Sequence, residues 1–326
     1  MRSGSHDQTL AELGEFGLIE AITAGLGDVP GLLVGPGDDG AVLELGGPVV
    51  TSVDVLVEGV HFRRDWSSAH DVGRKLVAVN VADIEAMGGR AVGLLVGFSA
   101  PADLPAAWAR EFSAGVRVEC ATAGIALLGG DTTRARDVTV SGTVLGTLDG
   151  RAPVVRGGAR PRNVVALIGR TGWAAAGLVV LGRGFRSPRA VVEVQRVPHV
   201  PYGSGAEAAT AGATAMIDVS DGLLGDLGHV ARASDVVIDL ATAAFEVPEP
   251  LQLVAAVTST DPMALMLTGG EDHALAATFP SAAAVPAGWR IVGQVRAVAA
   301  GEQPGILVDG AAWAGAGGYR HFRGGR

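Results

Sequence analysis

Residues 79–89 read Val79-Asn80-Val81-Ala82-Asp83-Ile84-Glu85-Ala86-Met87-Gly88-Gly89 and complete a segment, Asp71–Met87, that predicts a helix. One face of this helix is marked by residues at three- and four-residue spacings, namely Leu76, Val79, Asn80, Asp83 and Met87. Asp83 therefore belongs to the apolar face, and we expect its carboxylate to point inward. No Lys or Arg lies three or four residues away from it on the helix.

An inward-facing carboxylate needs a partner. Without one, its burial is unfavourable by roughly several kcal/mol. A bound cation is the simplest partner for Asp83, and a hydrogen-bonded core aspartate is the alternative.

On both sides of this helix, short β-like runs alternate with helix-like segments, which predicts an α/β (α+β) protein. The N-terminal half carries a second helix near Ala106–Ala123 and apolar runs at Gly31–Val34, Val49–Val57, Ala91–Phe98, Ile125–Leu128 and Val138–Leu145. The second half opens with a strand-like Val164–Ile168 and a helix-like Trp173–Leu181. Between the halves, Asp149-Gly150-Arg151-Ala152-Pro153 is rich in turn residues, which predicts domains at 1–150 and 151–326.

At six places in the sequence, an apolar segment is followed by an acidic residue that lies next to glycine or a small polar residue. These are Gly35–Gly40, Thr51–Asp54, Asn80–Asp83, Gly129–Thr133, Asp218–Gly222 and Gly269–Asp272. For any single site, a turn or a helix cap is the simpler explanation. Their recurrence favours a functional set of carboxylates.

The segment Ile217–Val230 carries two of these acids, Asp218 and Asp221. Ser220 or Asp221 is predicted to be the N-cap of a helix whose buried stripe contains Leu223, Leu224, Leu227 and Val230. Capping explains one acid but not both, and two carboxylates near a helix start form an oxygen-rich site suited to Mg²⁺. Hard oxygen ligands without Cys/His clusters favour Mg²⁺ over zinc.

Three common nucleotide-binding motifs do not fit this chain. Gly35–Gly40 formally matches G-x-G-x-x-G, but the following Ala41–Gly47 reads as a strand and turn where a dinucleotide fold requires a helix. The single lysine, Lys75, follows Arg74 and not glycine, so no P-loop is present, and protein-kinase motifs are also missing. Any ATP chemistry must therefore rely on metal ions.

Composition excludes several classes of protein. Hydrophobic residues make up 48% of the 326 residues and charged residues 18%, which is typical of a compact globular chain. The net charge of −9, without a basic cluster, argues against nucleic acid as a partner. The single Cys120 is predicted to be a core residue in a cytoplasmic protein, and we find neither a membrane-spanning run nor a secretion signal.

Taken in order, several segments resemble the thiamine-monophosphate kinase family, of the aminoimidazole ribonucleotide synthetase and selenophosphate synthetase superfamily. The matching blocks are Gly14–Ile19, GDDGAVL, Thr51–Phe62, VNVADIEAMGG, LLGGDTTR, IDVSDGLLGDLGH, TGGEDHAL and GGYRHF. The resemblance implies a two-domain aminoimidazole ribonucleotide synthetase-like fold, with the N-terminal sheets of two subunits pairing across a homodimer. It also implies an ATP/Mg-binding N-terminal domain and a C-terminal domain that completes the active site.

The resemblance also implies roles for individual residues. Several Mg²⁺ ions would be held by Asp39, Ser52, Val53, Asp54, Asp83, Asp131, Asp218 and Asp221. ATP would contact Gly130, Asp131, Arg156 and Ser220, and thiamine monophosphate would contact His61, Glu271 and Tyr319. The catalytic group would comprise Asp131, Arg156 and Asp221. The chain departs from the family at Val53, where a hydroxyl residue is common, and at His273, where an aromatic residue is frequent.

The reaction implied is in-line attack by a phosphate oxygen of thiamine monophosphate on the γ-phosphorus of ATP. It would yield thiamine diphosphate and ADP. The alternatives are a sister ATP-using enzyme of the same superfamily with another substrate, and an ATP-independent metal phosphatase or a metal-binding scaffold. The selenophosphate branch usually carries a reactive Cys or selenocysteine near its N-terminus, which this chain lacks.

Overall fold

The computed structural model describes residues 8–23, 30–35, 40–315 and 317–318. The chain divides into two compact units. The first comprises Met1–Ile84 and Arg90–Gly150, and the second comprises Glu85–Gly89 and Arg151–Arg326. Both units mix helices with sheets, which confirms the predicted α/β class.

The first unit is built around a four-stranded sheet. Its elements are α1 (Leu10–Thr23), β1 (Leu32–Val34), β2 (Val42–Leu43), β3 (Val49–Val57), α2 (Ala69–Ala86), β4 (Arg90–Ala100), α3 (Ala106–Ala123), β5 (Ala126–Arg134) and β6 (Thr139–Thr147). The strand order is β3-β6-β4-β5, with β4 and β5 parallel and the other neighbours antiparallel. Strands β1 and β2 form a separate antiparallel pair, which confirms a strand after the glycine stretch and excludes the dinucleotide-binding arrangement.

Glycines let α2 approach its neighbours closely. A Cβ added to Gly142 of β6 would lie 2.4 Å from the side-chain nitrogen of Asn80, and one added to Gly146 would lie 2.6 Å from Ile84. A Cβ at Gly73 would lie 2.1 Å from the carbonyl oxygen of Phe112, where α2 meets α3. The polar residues of α2 are thereby held directly against the sheet.

The other face of the sheet is open. Along β3 the exposed side chains alternate with partly buried ones, and Val49, Val53 and Val55 are all exposed. Val53 is level with Thr143 of β6, and Thr143 is level with Leu95 of β4, which is also exposed. Since paired residues project to the same side of a sheet, these side chains form one partly apolar surface, which we call the open face.

The second unit contains a six-stranded sheet in the order β12-β9-β11-β7-β10-β8. Its elements are β7 (Val164–Ile168), α4 (Trp173–Gly182), α5 (Arg189–Arg196), α6 (Ser204–Thr210), β8 (Ala215–Asp218), α7 (Leu223–Ser234), β9 (Val236–Leu240), α8 (Glu249–Thr258), α9 (Pro262–Thr268), β10 (Leu275–Phe279), β11 (Arg290–Ala297) and β12 (Gly305–Val308). The sheet is antiparallel except where β12 joins β9. Phe279 and Trp289 meet edge to face in the core beneath it.

Cys120 is buried, as predicted, and burial raises the pKa of its thiol to about 12, so it stays protonated and unreactive at neutral pH. In the described part of the chain, no helix is both long and apolar enough to cross a membrane.

Candidate active site

In the first unit, α2 and β3 bring polar side chains together. The Ser52 hydroxyl donates to Asp83 Oδ2 at 2.5 Å. Nearby, the backbone amide of Asp54 donates to Asn80 Oδ1 at 3.2 Å, and Asn80 in turn donates to the carbonyl of Leu76 at 2.8 Å. The Asp83 carboxylate is partly buried and hydrogen-bonded, so the structure shows the hydroxyl partner that the sequence left open.

Asp131 lies elsewhere on the same sheet. It is exposed on β5 and pairs with Gly97 of β4. Gly97 pairs with Ser141 of β6, and Ser141 pairs with Val55 of β3, so all four residues lie in one row across the sheet. Its side chain is therefore on the open face, with Val55. Because β3 and β5 are opposite edges of the sheet, three strand spacings, roughly 14 Å, separate the backbones of Asp54 and Asp131 within one subunit. Asp54 alternates with Val53 and Val55, so its side chain is on the α2 side of the sheet, opposite to that of Asp131.

His61 lies in the turn that follows β3. Its Nδ1 accepts a hydrogen bond from the backbone amide of Val57 at 3.1 Å. An amide can only donate, so Nδ1 is unprotonated and the ring proton of the neutral imidazole is on Nε2. In this arrangement a neutral His61 ring carries a hydrogen-bond donor at Nε2.

In the second unit, the segment Gly270–His273 packs on the end of β8. The backbone amide of Glu271 donates a hydrogen bond to the carbonyl of Ser220 at 2.7 Å, and the backbone amide of His273 donates to the carbonyl of Val219 at 2.9 Å. The buried His273 ring is 3.0 Å from the buried carboxylate of Asp218, measured from Nδ1 to Oδ2. Glu271 and His273 both have positive φ, 66° and 51°, a strained backbone that is concentrated at functional sites in proteins.

The prediction that Ser220 or Asp221 is the N-cap was wrong. Helix α7 starts at Leu223 with Gly222 as its N-cap, and Asp226 Oδ2 accepts from the amides of Asp221 and Gly222 at 3.1 and 3.0 Å. Burial and the negative charge of Asp218 raise the pKa of Asp226 to about 7. An acid in the first helical turn was the sequence signal that could have identified Asp226.

Two more buried acids accept hydrogen bonds from backbone amides at the starts of helices that are distant from them in the sequence. Asp272 accepts from the amides of Gly172 and Ala174 at 2.6 and 2.8 Å, at the start of α4. Glu85 accepts from the amides of Gly203 and Gly205, both at 2.7 Å, at the start of α6. Burial raises the pKa of both, to about 7 for Asp272. These acids cap helices of the second unit, and the local sequence gives no sign of it.

The structure gives less detail for the remaining predicted site residues. Arg156 is exposed in a 3₁₀ turn, Arg156–Gly158, where its carbonyl accepts from the Ser234 hydroxyl at 2.8 Å. Gly130 follows the register of β5, and its Cα lies so close to Val96 that an added Cβ would clash with the carbonyl oxygen. Asp39 and Tyr319 lie outside the residues that the structure describes.

The donor chemistry of these residues suits Mg²⁺. Carboxylates and a hydroxyl dominate, and they are the oxygen ligands that a hard cation prefers. Within the described ranges, no group of three or more His, Cys, Asp or Glu side chains is arranged to hold a metal ion.

The family model described as AIR synthase related protein, N-terminal domain, matches residues 37–148, which include all four strands of the four-stranded sheet of the first unit.

More specific relatives follow. Thiamine-monophosphate kinase of Mycobacterium tuberculosis (strain H37Rv) is 47% identical over 96% of this chain and 93% of its own length. Among solved structures, AaThiL complexed with AMPPCP and TMP is 30% identical, covers 97% of this chain and 99% of its own, and has a TM-score of 0.78. Thiamine-monophosphate kinase from Stenotrophomonas maltophilia K279a is 28% identical over 90% of this chain and 95% of its own, with a TM-score of 0.77. The chain belongs to the thiamine-monophosphate kinase family.

Proposed function

We propose that this protein is a kinase that transfers the γ-phosphoryl group of ATP to thiamine monophosphate, as a step in thiamine diphosphate biosynthesis. The similarity that carries this proposal is the 47% identity with thiamine-monophosphate kinase over 96% of the chain. The relative bound to AMPPCP and TMP, similar over 97% of the chain, supports a nucleotide and a phosphorylated acceptor as the two substrates.

The chemistry requires little of a protein base. A phosphate oxygen of thiamine monophosphate forms the new bond to the γ-phosphorus while the bond from that phosphorus to the β-bridging oxygen breaks, releasing ADP. The acceptor phosphate is already mostly ionised at neutral pH, so positioning and charge stabilisation are the main tasks. Arg156 is exposed and supplies a guanidinium for phosphate oxygens, and the backbone of Gly130 and Ser220 completes the nucleotide contacts.

In this proposal, three residues bind the acceptor. His61 donates from Nε2 to the acceptor phosphate, the geometry that its bond from Val57 prepares. Glu271 faces the cationic thiazolium as an opposite charge, and Tyr319 covers the heterocycle.

Mg²⁺ ions complete the site in this proposal. Their proposed ligands are Asp39, Ser52, the backbone of Val53, Asp54, Asp83, Asp131, Asp218 and Asp221. When bound, they neutralise the phosphate oxygens on which charge develops during transfer. Burial and, after it, the negative charge of Asp218 raise the pKa of Asp226 to about 7, and a cation bound beside Asp218 would offset that charge.

A direct assay tests the proposed reaction. With Mg²⁺, ATP and thiamine monophosphate, we expect equal amounts of ADP and thiamine diphosphate, measured by ion-exchange chromatography, and complete loss of both in excess EDTA. Folded protein that makes no thiamine diphosphate would contradict the kinase. Release of inorganic phosphate without ATP would favour the metal phosphatase, and turnover of only another acceptor would favour a sister enzyme.

We also propose that the protein is a cytoplasmic homodimer that pairs through the four-stranded sheet of the first unit. Strand β3 is nine residues long, pairs only with β6 among the described strands, and presents Val49, Val53 and Val55 on the open face. A long apolar edge strand is an aggregation hazard unless something covers it. A second copy that brings its own β5 edge to this β3 edge would cover both edge strands of the described four-stranded sheet.

A charge on the open face should separate the dimer. Val55→Lys is expected to shift the sedimentation coefficient from dimer to monomer, because an unpaired ammonium would be buried against the second sheet. We expect turnover to fall with it. Val257→Lys is the matched control, since Val257 is 74% exposed on α8 and the same change there should leave the dimer intact. A Val55→Lys protein that sediments as a dimer would contradict this interface.

A further inference from the structure

Lys75 is the only lysine of the chain, and every other permanently cationic side chain is an arginine. It lies on α2, is 2% exposed, and is among the largest fully buried side chains of the residues that the structure describes. Lysine combines a slender four-carbon stem with a compact amino group, whereas the planar guanidinium of arginine needs more room and more acceptors. The site thus calls for a small donor at the end of a long stem.

The amino group of Lys75 acts on the turn that carries His61. Nζ donates to the carbonyl oxygen of His61 at 3.1 Å. The same turn is closed by the amide of Gly59, which donates to the carbonyl of Phe62 at 2.8 Å, and by the amide of His61, which donates to the carbonyl of Val57 at 2.9 Å. Together with the bond from Val57 to Nδ1, these contacts fix both the backbone and the ring of His61.

We propose that Lys75 is a positioning residue for the acceptor phosphate, acting through His61 and without touching the substrate itself. This inference rests on the proposed function, in which His61 Nε2 donates to thiamine monophosphate. Loss of the Nζ bond would free the His61 carbonyl and allow the turn to rotate, so that Nε2 would no longer be aimed at the phosphate. Misplacement of a binding group by about 1 Å is enough to weaken catalysis by roughly a hundredfold.

The single lysine allows a direct test in the wild-type protein. Growth with lysine labelled with ¹³C at Cε gives one lysine signal in a carbon–proton correlation spectrum, which reports on Lys75 alone. We expect thiamine monophosphate to shift this signal, and AMPPCP with Mg²⁺ to leave it in place. An unmoved signal under saturating thiamine monophosphate, with saturation verified by calorimetry, would overturn the inference.

Substitution separates positioning from simple stabilisation. We expect Lys75→Met, which keeps the length and removes the donor, to raise KM for thiamine monophosphate about tenfold and to leave KM for ATP unchanged. Lys75→Arg should recover part of this loss, because it restores a donor. In a His61→Ala background, Lys75→Met should have no further effect on KM, since the two residues act as one unit.

The possible outcomes of these measurements distinguish a positioning role of Lys75 from a purely structural one. A lower melting temperature with unchanged KM for thiamine monophosphate would assign Lys75 a structural role only and overturn the inference, while leaving the proposed function intact. Additive effects in the double variant would also overturn it. Wild-type protein without any turnover of thiamine monophosphate would overturn the proposed function and this inference together. If Lys75→Met fails to fold, the labelled wild-type spectrum decides alone.

Discussion

Asp131→Asn is expected to slow phosphoryl transfer on the order of a hundredfold to a thousandfold while leaving the protein folded. The change keeps the size of the side chain and removes its charge. Asp131 is exposed at the edge strand β5, so its loss removes no core contact. In the proposed site, however, a cation and the transferring phosphoryl group depend on that charge, and an amide oxygen is a much weaker ligand.

The measurement is initial-rate kinetics at saturating Mg²⁺, with the melting temperature recorded for the same preparation. Asp137→Asn is the matched control, because Asp137 is exposed in the turn after β5. Its substitution changes the net charge of the protein by the same amount as Asp131→Asn. We expect the control to keep wild-type turnover. Wild-type rates in Asp131→Asn would remove Asp131 from the site while leaving the family membership untouched.

Gly115→Ala is expected to have the largest effect on stability, a loss of about 3 kcal/mol. Gly115 lies in α3, and a Cβ there would lie 2.0 Å from the carbonyl oxygen of His70 in α2. A backbone atom cannot rotate away, so the two helices must separate. Alanine is favoured over glycine inside a helix by roughly 1 kcal/mol, and the clash outweighs this gain.

Thermal unfolding at fixed protein concentration measures the effect, expected as a fall of roughly 10 °C in melting temperature. Gly182→Ala is the control, because Gly182 ends α4 and nothing lies within 4 Å of its added Cβ. That change should alter stability by no more than about 0.5 kcal/mol. Equal melting temperatures for Gly115→Ala and wild type would show that α2 and α3 can be moved apart without loss.

The consequence for function comes from the helix that is displaced. Helix α2 carries Lys75, Asn80 and Asp83, which contact the His61 turn and the polar residues of β3. We therefore expect Gly115→Ala to weaken substrate binding even at temperatures where the protein remains folded.

Much of the fold could be read from local pattern. Strand β3, helix α3 and strand β7 begin and end where the sequence predicted them. Each is a run with clear hydrophobic periodicity bounded by turn residues, and such runs are the most reliable local signal of secondary structure. Helix α2 runs from Ala69 to Ala86, within two residues of its predicted ends. The same periodicity identified Asp83 as an acid on the face that packs.

The residue types of the site and their order along the chain can be read without any structure, which is why a family resemblance was visible in the blocks around Asp54, Asp83, Asp131 and Asp218. Which partners those residues have depends on the tertiary structure. It gave Asp83 a hydroxyl from Ser52, gave Asp218 the ring of His273, and set Asp54 and Asp131 on opposite edges of one sheet. The helix caps from Asp272 and Glu85 come from residues about 100 positions away. Such pairings depend on how strands order and helices pack, and local periodicity carries no information about either.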